Sequence, residues 1–273
     1  MDITFKDFID QQIHRMWEGR HLKECRSKLS RFCNFEDFGS KALNRFKPAD
    51  IDMFTDYLIE KDCSNATINR YLSALSRVFR FAIHHQLIET APNIMWKREN
   101  KGRPRYFSVE EIAQLKDFFA GHKHWYVGEM LNISLNTGMR RGEILQIGDE
   151  AHWDSQSTAI LLPKTKNGDD RVVPLNEQAT HSIKNLDGCP KRYFTNRTFY
   201  DAWAEAKHEI APHDEHFVFH VARHTCATML ANNQNVNTVL IGTILGHRSE
   251  ATTRKYIHSD QGRLHQILNE LKV

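Results

Sequence analysis

Apolar positions recur at helical spacing through roughly the first 95 residues, and two segments carry the pattern most clearly. Over residues 49–60, Ile51, Phe54, Leu58 and Ile59 share a face, with Pro48 suited to a first helical turn. Over residues 66–86, Ile68, Tyr71, Leu72, Leu75, Val78, Phe79 and Ala82 form one continuous apolar stripe. The opposite face carries Asn69, Arg70, Ser73, Ser76, Arg77, Arg80 and His84, which is cationic, rich in hydrogen-bonding groups and free of acids. A simply solvated face would mix both signs, so this one is suited to lie along a phosphate backbone.

The pattern breaks between residues 97 and 105. Lys97, Arg98, Lys101, Arg103 and Arg105 stand there against Glu99, with Gly102 and Pro104 among them. This is the composition of a basic linker, and it predicts three parts: a helical domain over 1–96, a strap over 97–105 and a second domain over 106–273. The second domain opens sharply. Ser108 and Glu111 have the spacing of a capping box, and Phe107 and Ile112 that of a hydrophobic staple. Helices are expected over 108–119 and about 125–136. Short β-rich runs follow at 158–162 and 171–175, with the tight-turn pair Asn167-Gly168 between them. Helical patterning then returns up to residue 244, closed by Gly246, and a last amphipathic helix is expected over about 261–271. The fold class predicted is mainly α with a small antiparallel β-sheet.

Composition narrows the classes. The 273 residues are 40% hydrophobic and 10% aromatic, with only 13 Gly and 7 Pro, which excludes a disordered or collagen-like chain. No apolar run approaches the ~20 residues that span a bilayer, and Asp2, Asp7 and Asp10 do not suit a secretory signal, so an intracellular protein with no membrane role is expected. Cys25, Cys33, Cys63, Cys189 and Cys226 are odd in number and lack a C-x-x-C pair, as expected of free thiols. The net charge of +3 is unevenly distributed: residues 1–105 hold 19 basic against 14 acidic groups, the remainder 18 against 20. A basic N-terminal part points to a polyanionic partner.

Candidate chemistry lies in the second domain. Thr137-Gly138-Met139-Arg140-Arg141-Gly142-Glu143 is a glycine turn leading into an arginine at a helix start. Lys166 sits at the tip of the expected hairpin. His220 and Arg223 are spaced i, i+3, and Gly246-His247 precedes Tyr256 by nine residues from the histidine. Each is unremarkable alone. In this order and spacing they resemble the tyrosine recombinases, the phage integrase and Xer family, whose signature runs Arg, hairpin Lys, His-x-x-Arg, Gly-His and Tyr. The N-terminal part is similar to the family's helical, SAM-like core-binding domain, most clearly over residues 66–75.

The resemblance implies a site-specific DNA recombinase with a mixed α/β catalytic domain. Tyr256 would be the nucleophile, Arg140 and Arg223 the phosphate clamp, Lys166 the acid on the leaving oxygen, His220 and His247 assistants, and Glu143 a supporting acid. Arg70, Arg77, Arg80, Lys97, Arg98, Lys101 and Arg103 are the expected DNA-binding cations. The expected partners are double-stranded DNA with specific core sites and a homotetramer formed on it from free monomers or weak oligomers, with an accessory DNA-bending or directionality factor. The setting is the cytoplasm of a prokaryotic host, with integration or excision of a phage or mobile element as the role. With about 95 residues before the strap, no additional arm-binding domain is expected. No cofactor is implied, and no G-x-x-x-x-G-K-[ST] is present.

Elementary chemistry agrees. Charge gathers on the non-bridging oxygens of an attacked phosphodiester, and forked guanidiniums hold them in two-pronged fashion. A phenol with a pKa of about 10 needs cationic neighbours or a base. Rival readings are a type IB topoisomerase-like relaxase, which shares this chemistry, and a non-catalytic DNA-binding regulator. A zinc site on His216, His220 and His224 is disfavoured, because residues 216–220 read as an entering segment rather than a helix turn.

Overall fold

A computed structural model describes residues 3–99, 105–163, 170–233, 236–247 and 249–253. Lys101, Arg103, Lys166, the Asn167-Gly168 turn, Tyr256 and the expected helix over 261–271 lie outside them. The chain divides into two compact units, Met1–Lys101 and Gly102–Val273. Its fold is mainly helical with a two-stranded antiparallel sheet.

The first unit consists of α1 (Phe5–Met16), α2 (Gly19–Asn34), α3 (Pro48–Glu60) and α4 (Asn65–His84), with two short 3-10 turns between α2 and α3. Its core is aromatic. Phe5, Phe8, Phe32, Phe54 and Phe79 are fully buried, and the Phe32 and Phe54 rings meet edge-on at 4.9 Å. The α4 stripe faces this core, with Ile68, Leu72, Val78, Phe79 and Ala82 all at 0% exposure. Ser64 caps α4 by accepting from Thr67 N. Arg70, Arg77 and Arg80 remain exposed on the other side. Asn69 serves the fold: its amide exchanges hydrogen bonds with the Lys97 backbone in both directions and donates to Glu99. Asn65 donates to the Arg98 carbonyl, so residues 97–99 lie fastened along α4.

The second unit opens with α5 (Val109–Ala120) and α6 (Tyr126–Thr137). The capping box is formed at both of its bonds, Glu111 N to Ser108 Oγ at 3.1 Å and Ser108 N to Glu111 Oε2 at 2.8 Å. The other Glu111 oxygen takes Arg105, whose guanidinium also reaches Asp214 and lies over the Phe107 and Phe217 rings. Arg105 is thereby built into this unit rather than left in a strap. After α6 come α7 (Arg141–Ile144), β1 (Ala159–Leu162), β2 (Arg171–Pro174), α8 (Glu177–Asn185), α9 (Asn196–Ile210), α10 (Val221–Asn232), α11 (Thr238–Leu245) and α12 (Glu250–Thr253). The strands pair from Ala159 opposite Pro174 to Leu162 opposite Arg171. Ile160, Leu162 and Val173 point inward, Leu161 and Val172 outward. α6 packs against α5, α8 and α10, and Met130, Leu131 and Ile133 bury completely there.

Candidate active site

The site is assembled from helix ends. α6 stops at Gly138, whose left-handed conformation (φ 65°) suits glycine, and any Cβ there would lie 2.4 Å from Leu245 Cδ2. The turn delivers Arg140 to the N-cap of α7 in extended conformation. Glu143, one turn on and only 5% exposed, grips it twice: Oε2 accepts from the Arg140 backbone N–H at 2.8 Å, and Oε1 accepts from Arg140 Nη1 at 2.7 Å. A quarter of the Arg140 side chain stays exposed.

Arg223 enters from the first turn of α10 and is buried to 2%. Its two terminal nitrogens donate to the carbonyls of Gly138 and Leu245, the ends of α6 and α11, where a cation is favoured by the helix dipole. It lies 3.9 Å from Glu143 Oε2. The carboxylate is thus bracketed by both arginines. Burial alone would raise the Glu143 pKa, but Arg171 and the hydrogen bonds from Arg140 outweigh it and hold the group below its usual value.

His220 is the N-cap of α10, and its ring meets that of His224 edge-on at 4.8 Å. His216 lies in a turn ahead of the helix, so the three imidazoles do not share a helical face. Gly246 ends α11 in the left-handed region, and the His247 N–H then bonds back to Gly242 O at 2.9 Å. His247 Nδ1 pairs with Thr253 Oγ1 at 2.9 Å, and Thr253 is completely buried in α12. Burial first, then neighbouring cations, push both histidines down to about 4. For His220 these are His224, Arg223 and Arg140; for His247 they are Arg223, Arg140 and Arg171. Both rings are therefore neutral at pH 7.

Five expected site residues, Arg140, Glu143, His220, Arg223 and His247, thus fall into one electrostatic neighbourhood. Lys166 and Tyr256 lie outside the described residues; β1 and β2 flank the first, and α12 ends three positions before the second. Residues 105–263 of this chain match the phage integrase family. The chain belongs to that family of tyrosine recombinases, enzymes that cleave and rejoin DNA.

Residues 22–86 of the recombinase also match the phage integrase N-terminal SAM-like domain. It is 30% identical to the shufflon-specific DNA recombinase of Escherichia coli over 205 residues, which is 72% of this chain and about half, 52%, of that protein. It is 25% identical to the tyrosine recombinase XerD of Vibrio vulnificus over 97% of this chain and 95% of that one. Among solved structures, the Tn1549 transposon integrase bound to a circular intermediate DNA has the same fold, with a TM-score of 0.78 at 20% identity over 97% of this chain and 98% of that one. So has lambda integrase in a tetramer bound to a Holliday junction, at 0.76 and 15% identity over 94% and 78%.

One residue of the recombinase site escaped the sequence reading. Arg171 opens β2 on its inward face and is 7% exposed. It donates from Nη1 to Glu143 Oε2 at 2.9 Å and from Nη2 to the Ile244 carbonyl at 2.5 Å. Its signal was strand alternation, which puts Arg171 on the same side as the buried Val173.

Proposed function

We propose that this recombinase acts site-specifically on duplex DNA through a 3′-phosphotyrosyl intermediate. The observation that carries the reading is the pair of guanidiniums, Arg140 and Arg223, held on either side of the buried Glu143 and beside two neutral imidazoles. Such a cluster suits a phosphodiester. The guanidiniums hold the non-bridging oxygens as charge builds on them, and their own positions are fixed beforehand by carbonyls and a carboxylate. Tyr256 Oη attacks phosphorus, giving up its proton to a neutral imidazole such as His220. The bond to the 5′ oxygen breaks, and Lys166 protonates that oxygen. A 5′ hydroxyl of a second duplex then attacks the phosphotyrosine and reverses the step. The bond energy is conserved, so no nucleotide or metal is required.

In this reading the exposed Arg70, Arg77 and Arg80 on α4, with Lys97, Arg98, Lys101 and Arg103, bind the DNA backbone. The two units are the core-binding and catalytic domains, joined near residues 97–105. Four protomers assemble on paired core sites and exchange strands through a Holliday junction, as the lambda integrase tetramer on such a junction supports. The setting is the cytoplasm of a prokaryotic host. The role is integration or excision of a mobile element, with an accessory bending or directionality factor.

The test uses nicked duplexes tiled across the DNA flanking the gene, where loss of a short strand traps the covalent intermediate. The expected result is a denaturant-stable adduct on a few tiles, absent with Tyr256→Phe. Adducts on every tile would indicate a relaxase instead, and tight binding without any adduct would indicate a regulator or a target site elsewhere in the genome.

A further inference from the structure

Five threonines within the helices, Thr55, Thr137, Thr225, Thr228 and Thr243, donate their hydroxyl protons to the carbonyl four residues back, at 2.6–3.0 Å. Thr253, the last residue of α12, departs from this habit. The Ser249 carbonyl, four positions back, receives the Thr252 N–H, and Thr253 Oγ1 lies 2.9 Å from Nδ1 of His247 instead. Thr253 is completely buried, and among the described residues Nδ1 is the one hydrogen-bond partner of its hydroxyl. α11 makes room for the contact through Gly242, where a Cβ would lie 3.3 Å from Oγ1. The Gly242 carbonyl also accepts the His247 N–H, so one turn of α11 holds the histidine backbone and admits the hydroxyl that holds its ring.

Burial sets the direction of this bond. A hydroxyl shut away from water needs an acceptor for its proton, and Nδ1 is the acceptor it has. The reverse arrangement, with Nδ1–H donating, would leave the hydroxyl proton unused at complete burial. Nδ1 therefore accepts, and because the ring is neutral at pH 7 its single proton sits on Nε2. We propose that Thr253 is a positioning residue that fixes His247 as the Nε2–H tautomer, so that this histidine serves the scissile phosphate as a neutral hydrogen-bond donor and leaves the part of base to His220. The inference rests on the recombinase reading above. The tautomer matters because an anionic oxygen is stabilised by a donor and repelled by a lone pair. A donor fixed in advance where charge develops is worth about 100–1000-fold in rate.

The experiment first reads the tautomer directly. NMR of the DNA-free protein at neutral pH, with isotope-labelled histidine nitrogens, separates a protonated from a bare ring nitrogen, and the His247 signals are those that vanish in His247→Gln. The expected wild-type result is a bare Nδ1 and a protonated Nε2; a protonated Nδ1 would overturn the proposal. Thr253→Val keeps the branched shape but removes the hydroxyl, and it should move these signals toward a mixture of the two tautomers. On nicked duplexes carrying the cleavage site, Thr253→Val is expected to bind DNA within about threefold of the wild type. It should form the adduct about 10–100-fold more slowly, the scale on which loss of a group that orients a functional imidazole is felt. Thr253→Ser keeps the donor and should stay within about threefold of the wild type in adduct formation. In a His247→Gln background, which has no Nδ1, Thr253→Val should cost no more than about twofold further, since it acts through His247 alone. Unmoved signals in Thr253→Val, an equal loss in Thr253→Ser, or a full additional loss in the His247→Gln background would overturn the proposal. If Thr253→Val does not fold, Thr253→Ala carries the same comparisons. Failure of the recombinase reading looks different: the free protein would show the expected tautomer, and the wild type would form no adduct on any duplex.

Discussion

Replacing Glu143 with alanine tests whether the cluster is the desolvated, interlocked charge assembly that its geometry describes. The carboxylate is 5% exposed and accepts from Arg140 at its backbone and side chain and from Arg171, which is itself 7% exposed. Removing it leaves the Arg171 guanidinium buried with the Ile244 carbonyl but, among the described residues, no counter-charge. Breaking one partner out of a buried ion pair costs about 3–5 kcal/mol, because the remaining charge stays desolvated. Loss of the return bond to the Arg140 N–H, half of the α7 capping box, adds about 1 kcal/mol. For a unit of this size each kcal/mol moves the midpoint by about 2–4 °C, so Tm of the second unit should fall by roughly 8–24 °C in calorimetry. Asp10→Ala is the control. Asp10 pairs with Lys6 at 2.8 Å, but both side chains are more than 60% exposed, and its loss should cost under about 0.5 kcal/mol. The activity should respond as well. Arg140 loses the group that fixes both its backbone and its fork, so adduct formation should fall further than DNA binding does. A midpoint for Glu143→Ala within about 3 °C of the wild type would refute the reasoning, since a solvated carboxylate is all that such a value leaves room for.

Three further outcomes follow from the same geometry. Gly246→Ala combines a left-handed backbone with a methyl pressed to 2.6 Å from Arg171 Cδ, and thermal unfolding should show a loss of about 2–3 kcal/mol. Stability should fall in acid. His220 and His247 have folded pKa values near 4, below the unfolded 6.5, so the unfolded chain binds more protons between these values and stability rises with pH across that window. For His247 the difference is worth at most ~3 kcal/mol, and water reaching its half-exposed ring leaves about 1 kcal/mol, visible as a urea midpoint that declines from pH 6.5 to 4. Replacing His247 with glutamine should flatten that decline. Finally, Asn69→Ala removes both bonds to the Lys97 backbone, which should speed tryptic cleavage at Lys97 and Arg98 several-fold while costing the first unit no more than about 1.5 kcal/mol.

Much of this architecture is legible in the order of residues because local periodicities carry it. The α4 stripe repeats every 3.6 residues and buries as the pattern demands except at Tyr71, which is half-buried, with Ala74 an added core position off the stripe. The Ser108 cap and the Gly246 stop are local chemistry, complete within a few residues. What escaped detection depends on partners far along the chain. Asn69 sits on the polar face of α4 and reads as contact surface, yet its amide is committed to a backbone 28 residues away. Arg105 has a linker's composition but finds Asp214, 109 residues on. Arg171 looks like one more cation near a turn; only the inward side of β2, combined with Glu143 and α11, makes it central. α1 and α2 likewise belong to a generally helical stretch whose individual boundaries depend on the aromatic core they enclose.

These distant partners also explain how so much positive charge is tolerated. Among the described residues, Arg140, Arg171 and Arg223 gather round one buried carboxylate, Glu143, so this described cluster carries excess positive charge. Much of the compensation comes from backbone: the carbonyls of Gly138, Ile244 and Leu245, at the ends of α6 and α11, take three of the donors. Helix C-termini carry partial negative charge that cannot be neutralised by pH or swing away. Side-chain acids in their place would compete with the substrate anion for the same guanidiniums. Carbonyl dipoles hold the forks in position while leaving the net charge positive, and the reorganisation that a phosphate would otherwise require is already done in folding. Burial first, and this excess charge second, keep His220 and His247 neutral in the free protein at pH 7. An anion entering the cluster lowers that positive potential, and the imidazoles then hold a proton more readily, as the proposed transfer from Tyr256 requires.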